Sequence, residues 1–450
     1  MSDEFEEHNS LRYAIYALLV VITLSTATAR ILSACAADHL TPFFSANDRS
    51  RWSTISAIVD HGTFEIDEVR KRPGWKSIDM VRHRGADGKE HYYSSKPPLF
   101  PTLLAAEYFL IHNISGANLQ DDTFYIARIM LVLTNIIPIL VMLLLIIRCV
   151  EWEGRTDFGR IFVVTCACWG TFLTTFCITL NNHLPAAICV MICVFCLFSI
   201  WRSEEAHPIY FVISGFAAAF AAANELPALS FLGVCGIGMF WLSPKKTCLA
   251  FLPAVGLVAI AFFATNYIAH QSIRPPYAHR NPGDNWYDYP GSYWMTPREG
   301  VDRGEPSRAI YAFHMLIGHH GIFSLTPIWI LSLIGICNWI IQRDDLMKRG
   351  IAAGTLLLMI VCLTFYIFRP EIDRNYGGVS SGFRWMFWFI PLWLITMISI
   401  ADWLADSRKG RWLAMGLLAI STLSAQFAAS NPWSHPWIYH YLAAIGWISN

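Results

Sequence analysis

The sequence predicts an all-α, polytopic membrane protein, and three observations predict it. Of 450 residues, 55% are hydrophobic and only 15% are charged, whereas soluble domains run nearer a quarter charged. Uncharged apolar runs such as "MLVLTNIIPILVMLLLII" (130–147) have the length and composition of membrane crossings. Between such runs the polar sequence is uneven: a few long segments dense in charge and aromatics, and several short basic connectors. The formal net charge is zero, so no bulk attraction to nucleic acid is expected.

The first crossing, near 11–29, follows the acidic start "MSDEFEEHN". A signal peptide wants a positive start, so this reads as an uncleaved first helix. About eleven crossings are expected, beginning near residues 11, 124, 161, 184, 208, 226, 248, 321, 350, 385 and 411. The run at 97–114 carries three prolines and Glu107 and is short for a crossing. It is expected to lie along the interface as a helix.

That choice sorts the short loops. Arg148, Arg155 and Arg160, then Arg202, then Lys245 and Lys246, then Arg343, Lys348 and Arg349, then Arg408, Lys409 and Arg411 fall on one side. By the positive-inside rule that side is cytoplasmic. The other side receives the long loop 36–96, the turns at 181–183 and 224–225, the loops 271–320 and 369–384, and the tail. The expected organisation is therefore residues 1–35 as tail and first helix, and 36–115 as a first extracytoplasmic loop with juxtamembrane helices. Residues 116–428 follow as the transmembrane bundle, and 429–450 as an interfacial tail. Most of the twelve cysteines lie inside apolar runs, where cysteine is a small hydrophobe, and no CxxC pair sits in a polar loop.

The unusual residues gather on the outer side, which suggests an enzyme whose site lies at the edge of the bilayer. In "SANDRSRWSTISAIVDHG" (45–62), Trp52, Ile55, Ile58 and Val59 share one helical stripe ending at Gly62. A helix lying on the membrane is expected, with Asp48 at its N-terminal end. By residue type alone the N-cap role is the stronger reading of Asp48. In "YYSSKPPLFP" (92–101), Lys96 precedes two prolines that fix its backbone. A cation on a rigid strut suits a phosphate, though an interfacial lysine can also simply snorkel.

Together these pieces resemble the first lumenal or periplasmic loop of GT-C glycosyltransferases. The likeness is to the branch of the lipid A aminoarabinose transferase and the protein O-mannosyltransferases. The matching elements are Asp48, Arg51-Trp52, Gly62 and the run from Tyr92 to Leu99. The resemblance implies a GT-C-like bundle and a sugar moved from a polyprenyl-phosphate donor to a glycan, lipid or protein acceptor. It implies Asp48 as catalytic base and Lys96 as a phosphate contact. Arg49 and Ser95 stand where many relatives carry acids, which weakens a Mg or Mn site. Arg49, Arg51 and Lys96 could instead neutralise the leaving phosphate, and a single carboxylate suits inversion.

Further residues are expected to line the site. His183 and Glu225 stand at polar turns where burial is costly, though they could merely cap those turns. "NYGGVSSGFRW" (375–385) offers Arg384 as a second phosphate contact, with Tyr376 beside it. Tyr93, His319 and His320 complete the set, and the two histidines lack the acidic partner of a strong metal site. Rival readings are a transporter or flippase of lipid-linked glycans and an inactive GT-C-like binding protein. A transporter would be expected to show related halves, which this sequence does not.

Overall fold

The structure, a computed structural model, describes residues 2–296, 298–342 and 345–448. Arg343, counted above among the cytoplasmic basic residues, lies outside them. The chain is mostly helical. Among the described residues, six helices are long and apolar enough to cross a membrane: Ser10–Ser33, Thr123–Glu153, Asp157–Phe176, His183–Arg202, Pro244–His270 and Leu346–Ile367. A seventh crossing results if Arg384–Thr396 and Ile398–Ala405, bent by 45° at a short break, count as one. The apolar runs expected to cross at 208, 226 and 321 form the shorter helices Pro208–Asn224, Leu226–Leu242 and Trp329–Ile341. The run at 411 becomes Arg408–Phe427, which carries three basic residues in its first turn.

The reason for the short helices is local. Glu225, Leu226 and Pro227 interrupt what would otherwise be one long apolar rod, and Glu225 has extended backbone angles. Proline at that position removes a helical hydrogen bond. The polar turn created there faces inward, where it serves the site. The outward surfaces of the long helices are apolar instead, with Leu249, Leu257 and Ile260 exposed.

The first long loop is more elaborate than a surface helix. It contains α2 (Ala46–His61), the antiparallel hairpin of β1 (Met80–Arg84) and β2 (Glu90–Ser94), and α3 (Leu99–Ser115). Ser45 caps α2, accepting from the Asp48 backbone N–H at 3.1 Å. Gly62 ends it in the left-handed region at φ 69°, a conformation open to glycine without penalty. From Asn47 to Ala57 every residue except the half-buried Arg49 is buried, polar ones included. The expected lipid-facing stripe is thus covered by protein: Trp52 stacks on Phe43 at 5.3 Å, and Trp75 meets the same Phe43 ring edge-on at 5.0 Å. Small residues let the hairpin approach the opposite face. Ser50 Oγ lies 2.6 Å from both the Asp79 carbonyl and Ser94 Oγ.

Candidate functional site

A cavity of about 620 Å3 opens beside this packed loop. Its wall draws on the start of α2, the segment from Ile78 to Pro97, the polar turns at 182–183 and 223–227, and the loops around 277–302 and 365–385. Six basic side chains line it (Arg51, Lys96, Arg280, Arg298, Arg369 and Arg384) against four carboxylates (Asp79, Glu225, Asp302 and Asp373). The excess of cations favours an anionic ligand.

Lys96 reaches the cavity because the hairpin delivers it there. Ser95 N–H bonds the Asp79 carbonyl at 3.1 Å, Lys96 N–H bonds Ser94 Oγ at 3.1 Å, and Pro97 follows at once. The Lys96 ammonium then pairs with Asp79 Oδ2 at 2.9 Å, the two side chains 19% and 12% exposed. Burial lowers the Lys96 pKa, Asp79 opposes the shift, and Arg51 and Arg384 reinforce it.

Arg51 comes from the second turn of α2. Its guanidinium donates to the Asn47 carbonyl at 3.1 Å, to the Asn47 side chain, and to Asn182 Oδ1 at 2.6 Å. Burial, then Arg384, pulls its pKa down to about 10. Asn182 Nδ2 in turn donates to Glu225 Oε1 at 2.6 Å. Glu225 pairs with His183 Nδ1, and Arg384 NH1 donates to His183 Nε2 at 2.5 Å. An unbroken polar chain therefore runs Arg51–Asn182–Glu225–His183–Arg384. Because Arg384 can only donate, His183 Nε2 accepts and Nδ1 carries the proton toward Glu225.

Arg384 is fixed on its other side by the Gly377 carbonyl at 2.9 Å and lies over the Trp433 ring. Gly377 has φ 96°, and a Cβ there would meet Arg384 Nε at 2.5 Å. Glycine is required both by the backbone angle and by the close approach.

Asp48 does not line the cavity. It is 1% exposed and sits beneath the wall made by residues 44–47, with Arg51 one turn on. Its Oδ2 accepts the Phe44 N–H at 3.2 Å, and Oδ1 has no hydrogen-bond partner among the described residues. Burial pushes its pKa up to about 7, against the pull of Phe44, Trp52 and Arg51. Arg49 points elsewhere, donating to the Lys76 carbonyl at 3.0 Å. Tyr93 faces the opposite side of the hairpin, stacked on His83 at 4.2 Å and packed with Val81 and Tyr287.

His319, His320 and Tyr376 form a cluster of their own beside His314, His435 and Tyr439, outside the cavity wall. His319 Nδ1 contacts His320 Nδ1. Burial, then the neighbouring imidazoles, lowers both pKa values, His319 to about 3, so both are neutral.

Sequence reasoning singled out none of Asp79, Asp302, Asp373, Arg280, Arg298 or Arg369 as wall residues, although the wall draws all six from the long loops. Arg280 and Arg369 share Asp373, at 3.3 and 3.6 Å. Tyr293 donates to Asp302 at 3.0 Å. A divalent cation needs several free oxygen ligands. Here Asp79 is taken by Lys96, Glu225 by His183 and Asn182, and Asp373 by two arginines. Among the described residues, the one grouping of three close metal-type ligands is Glu65, Asp67 and His91, none of which lines the cavity. The cavity does not fit a divalent metal.

No protein-family model matches the chain, and no curated protein matches it. Among solved structures it is similar to the oligosaccharyltransferase of Archaeoglobus fulgidus. The apo form is 11% identical with a TM-score of 0.49, covering 94% of this chain and 56% of that one. The complex with Zn and sulfate is 10% identical with a TM-score of 0.48, covering 93% and 53%. The complex with an inhibitory peptide and a dolichol-phosphate is 10% identical with a TM-score of 0.47, covering 94% and 56%. The chain spans a little over half the length of these structures.

Proposed function

We propose that the protein is an integral-membrane glycosyltransferase of GT-C type. It moves a sugar from a polyprenyl-phosphate donor to a glycan, lipid or protein acceptor, with inversion, on the extracytoplasmic side of the cytoplasmic membrane. In this reading the bundle crosses the bilayer about eleven times, the shorter apolar helices included, and α3 lies at the interface. The observation that carries the proposal is the convergence of Lys96, Arg51 and Arg384, from three distant segments, on one large cavity. The motif resemblance of roughly residues 45–115 supports it.

The acceptor oxygen attacks the anomeric carbon and passes its proton to a base. The bond from that carbon to the phosphate oxygen breaks, and the electron pair leaves with the phosphate. Lys96, Arg51 and Arg384 stabilise that growing charge where fixed cations act most strongly. Asp48 is proposed as the base: its Oδ1 has no hydrogen-bond partner among the described residues, and a pKa of about 7 suits proton transfer at neutral pH. Contact with the acceptor requires the segment at 44–47 to part. No step is routed through a metal.

The test is conversion of a labelled polyprenyl-phosphate sugar by the purified protein in detergent. Product formed without compartments supports a transferase. Binding of the donor without turnover, under any acceptor class, sinks the proposal and leaves a transporter or a binding protein.

A further inference from the structure

Ser272, His279 and Asp284 lie in the second long loop, outside the cavity wall. Ser272 Oγ is 3.1 Å from His279 Nε2. His279 Nδ1 is 2.8 and 3.0 Å from the two carboxylate oxygens of Asp284. Asp284 can only accept at neutral pH, so Nδ1 carries the proton and Nε2 offers its lone pair to the serine hydroxyl. One tautomer satisfies both contacts. This is the nucleophile–base–orienter arrangement that recurs on unrelated folds and is recognised by geometry.

The local fold holds each member. The helix Pro244–His270 stops at Gln271, a non-glycine residue in the left-handed region at φ 53°. That turn directs the chain so that Ser272, partly exposed, comes next. The His279 ring is 3% exposed and stacks on Trp286 at 3.5 Å, with an interplanar angle of 6°. A two-residue turn between β3 (Arg280–Asn281) and β4 (Asp284–Asn285) folds Asp284 back onto it. Arg274 completes the surroundings: its backbone N–H donates to Ser272 Oγ at 3.1 Å, and its guanidinium pairs with Asp284 at 2.8 Å. Asp284 is held below the usual carboxylate range, first by His279 and then by Arg274.

We infer that Ser272 is a nucleophile for carboxylic esters bearing an apolar acyl chain, with His279 as its base and Asp284 orienting that base. The substrate class follows from the surroundings. Tyr267, Ile268 and Ile273 are 54%, 62% and 61% exposed around the serine, so the site lies where apolar surface gives way to polar loop. An acylated lipid or glycan held at a bilayer surface presents its ester at that level. Ser272 Oγ bonds to the carbonyl carbon as its proton moves to His279 Nε2. The carbon–oxygen bond to the alcohol breaks, and the alcohol leaves with the electron pair and the proton. Water then repeats the sequence, releasing the carboxylic acid and free Ser272. This activity is independent of glycosyl transfer and stands or falls without it.

The experiment treats the full chain, purified in detergent, with an alkyl fluorophosphonate probe and identifies the labelled peptide by mass spectrometry. Wild type is expected to label at Ser272, S272A to stay unlabelled, and H279A to label at least about 100-fold more slowly. Hydrolysis of p-nitrophenyl butyrate should fall in the same order, with D284N intermediate. Unchanged elution and thermal unfolding of S272A show that the loop still folds. Wild type labelling no faster than S272A, or H279A labelling as fast as wild type, overturns the inference and leaves the three side chains as a loop-fixing network.

Discussion

Lys96→Ala probes the donor side of the proposed reaction most directly. The ammonium stands in the cavity wall, 2.9 Å from Asp79 Oδ2, with only 19% of the side chain exposed. A hydrogen bond to a charged partner contributes about 1.5–3 kcal/mol. Losing one to the donor phosphate should therefore raise the donor KM roughly 10- to 150-fold, at ~1.4 kcal/mol per decade. The substitution also strands Asp79. Breaking a fully buried pair costs about 3–5 kcal/mol, but this carboxylate borders an open cavity, so a loss of ~1–2 kcal/mol in stability is expected. Asp79→Asn separates the two effects. Asp79 is what opposes the lowering of the Lys96 pKa by burial and by Arg51 and Arg384. Lys96 must be charged to hold phosphate, so activity is present below its pKa and lost as pH rises through it. In Asp79→Asn the alkaline limb of the donor kcat/KM profile should move to lower pH. The assay is steady-state transfer in detergent, with donor and acceptor varied separately, alongside thermal unfolding. An unchanged donor KM in Lys96→Ala, or an effect confined to the acceptor, refutes the phosphate assignment.

Three further outcomes follow from the same geometry. Asp48→Asn should reduce transfer by ~10²–10⁴-fold without altering membrane insertion, and wild-type activity should fall as pH drops through about 7; turnover in Asp48→Asn near the wild-type rate would exclude the base. Because folding raises the Asp48 pKa from 3.8 to about 7, its stabilising contribution is complete below the unfolded value and is lost as pH rises through the folded one. Asp48→Asn should accordingly be more stable than wild type near about pH 8, by up to roughly 4 kcal/mol and read as a higher unfolding temperature, with the difference vanishing near about pH 3. Gly377→Ala should displace Arg384 and strain the backbone by about 1–3 kcal/mol, seen as at least about a tenfold higher donor KM with the helical circular dichroism unchanged.

Much of the helical scaffold was legible because long apolar runs admit few alternatives. The expected starts at 11, 124, 161, 184, 248 and 350 fall within a few residues of helices long enough to cross. The runs at 208, 226 and 321 were harder: hydropathy registers their grease but neither the break that Glu225 and Pro227 impose on the first two nor the one at Thr326 and Pro327 in the third. Within the site, Lys96, Arg51, His183, Glu225 and Arg384 line the cavity, each marked in the sequence by a proline, a glycine or a polar residue out of place. Tyr93 shows what sequence alone could not decide. Strand side chains alternate, and only the packing of β2 on α2 reveals that Ser94, not Tyr93, faces that helix. Asp79 and the arginines of the second long loop were invisible for a related reason. They reach the wall through the hairpin and loop folding back over long sequence separations, and no local pattern records that.

The polar chain from Arg51 to Arg384 also bears on how this protein could change. Two guanidiniums from opposite ends of the sequence are tethered through a single glutamate, so neither can be retuned in isolation. A scan that altered one position at a time would credit each link with nearly the whole effect. Redirecting the pocket toward a different anion would mean exchanging Asn182, His183 and Glu225 together with their arginines, as one inherited frame.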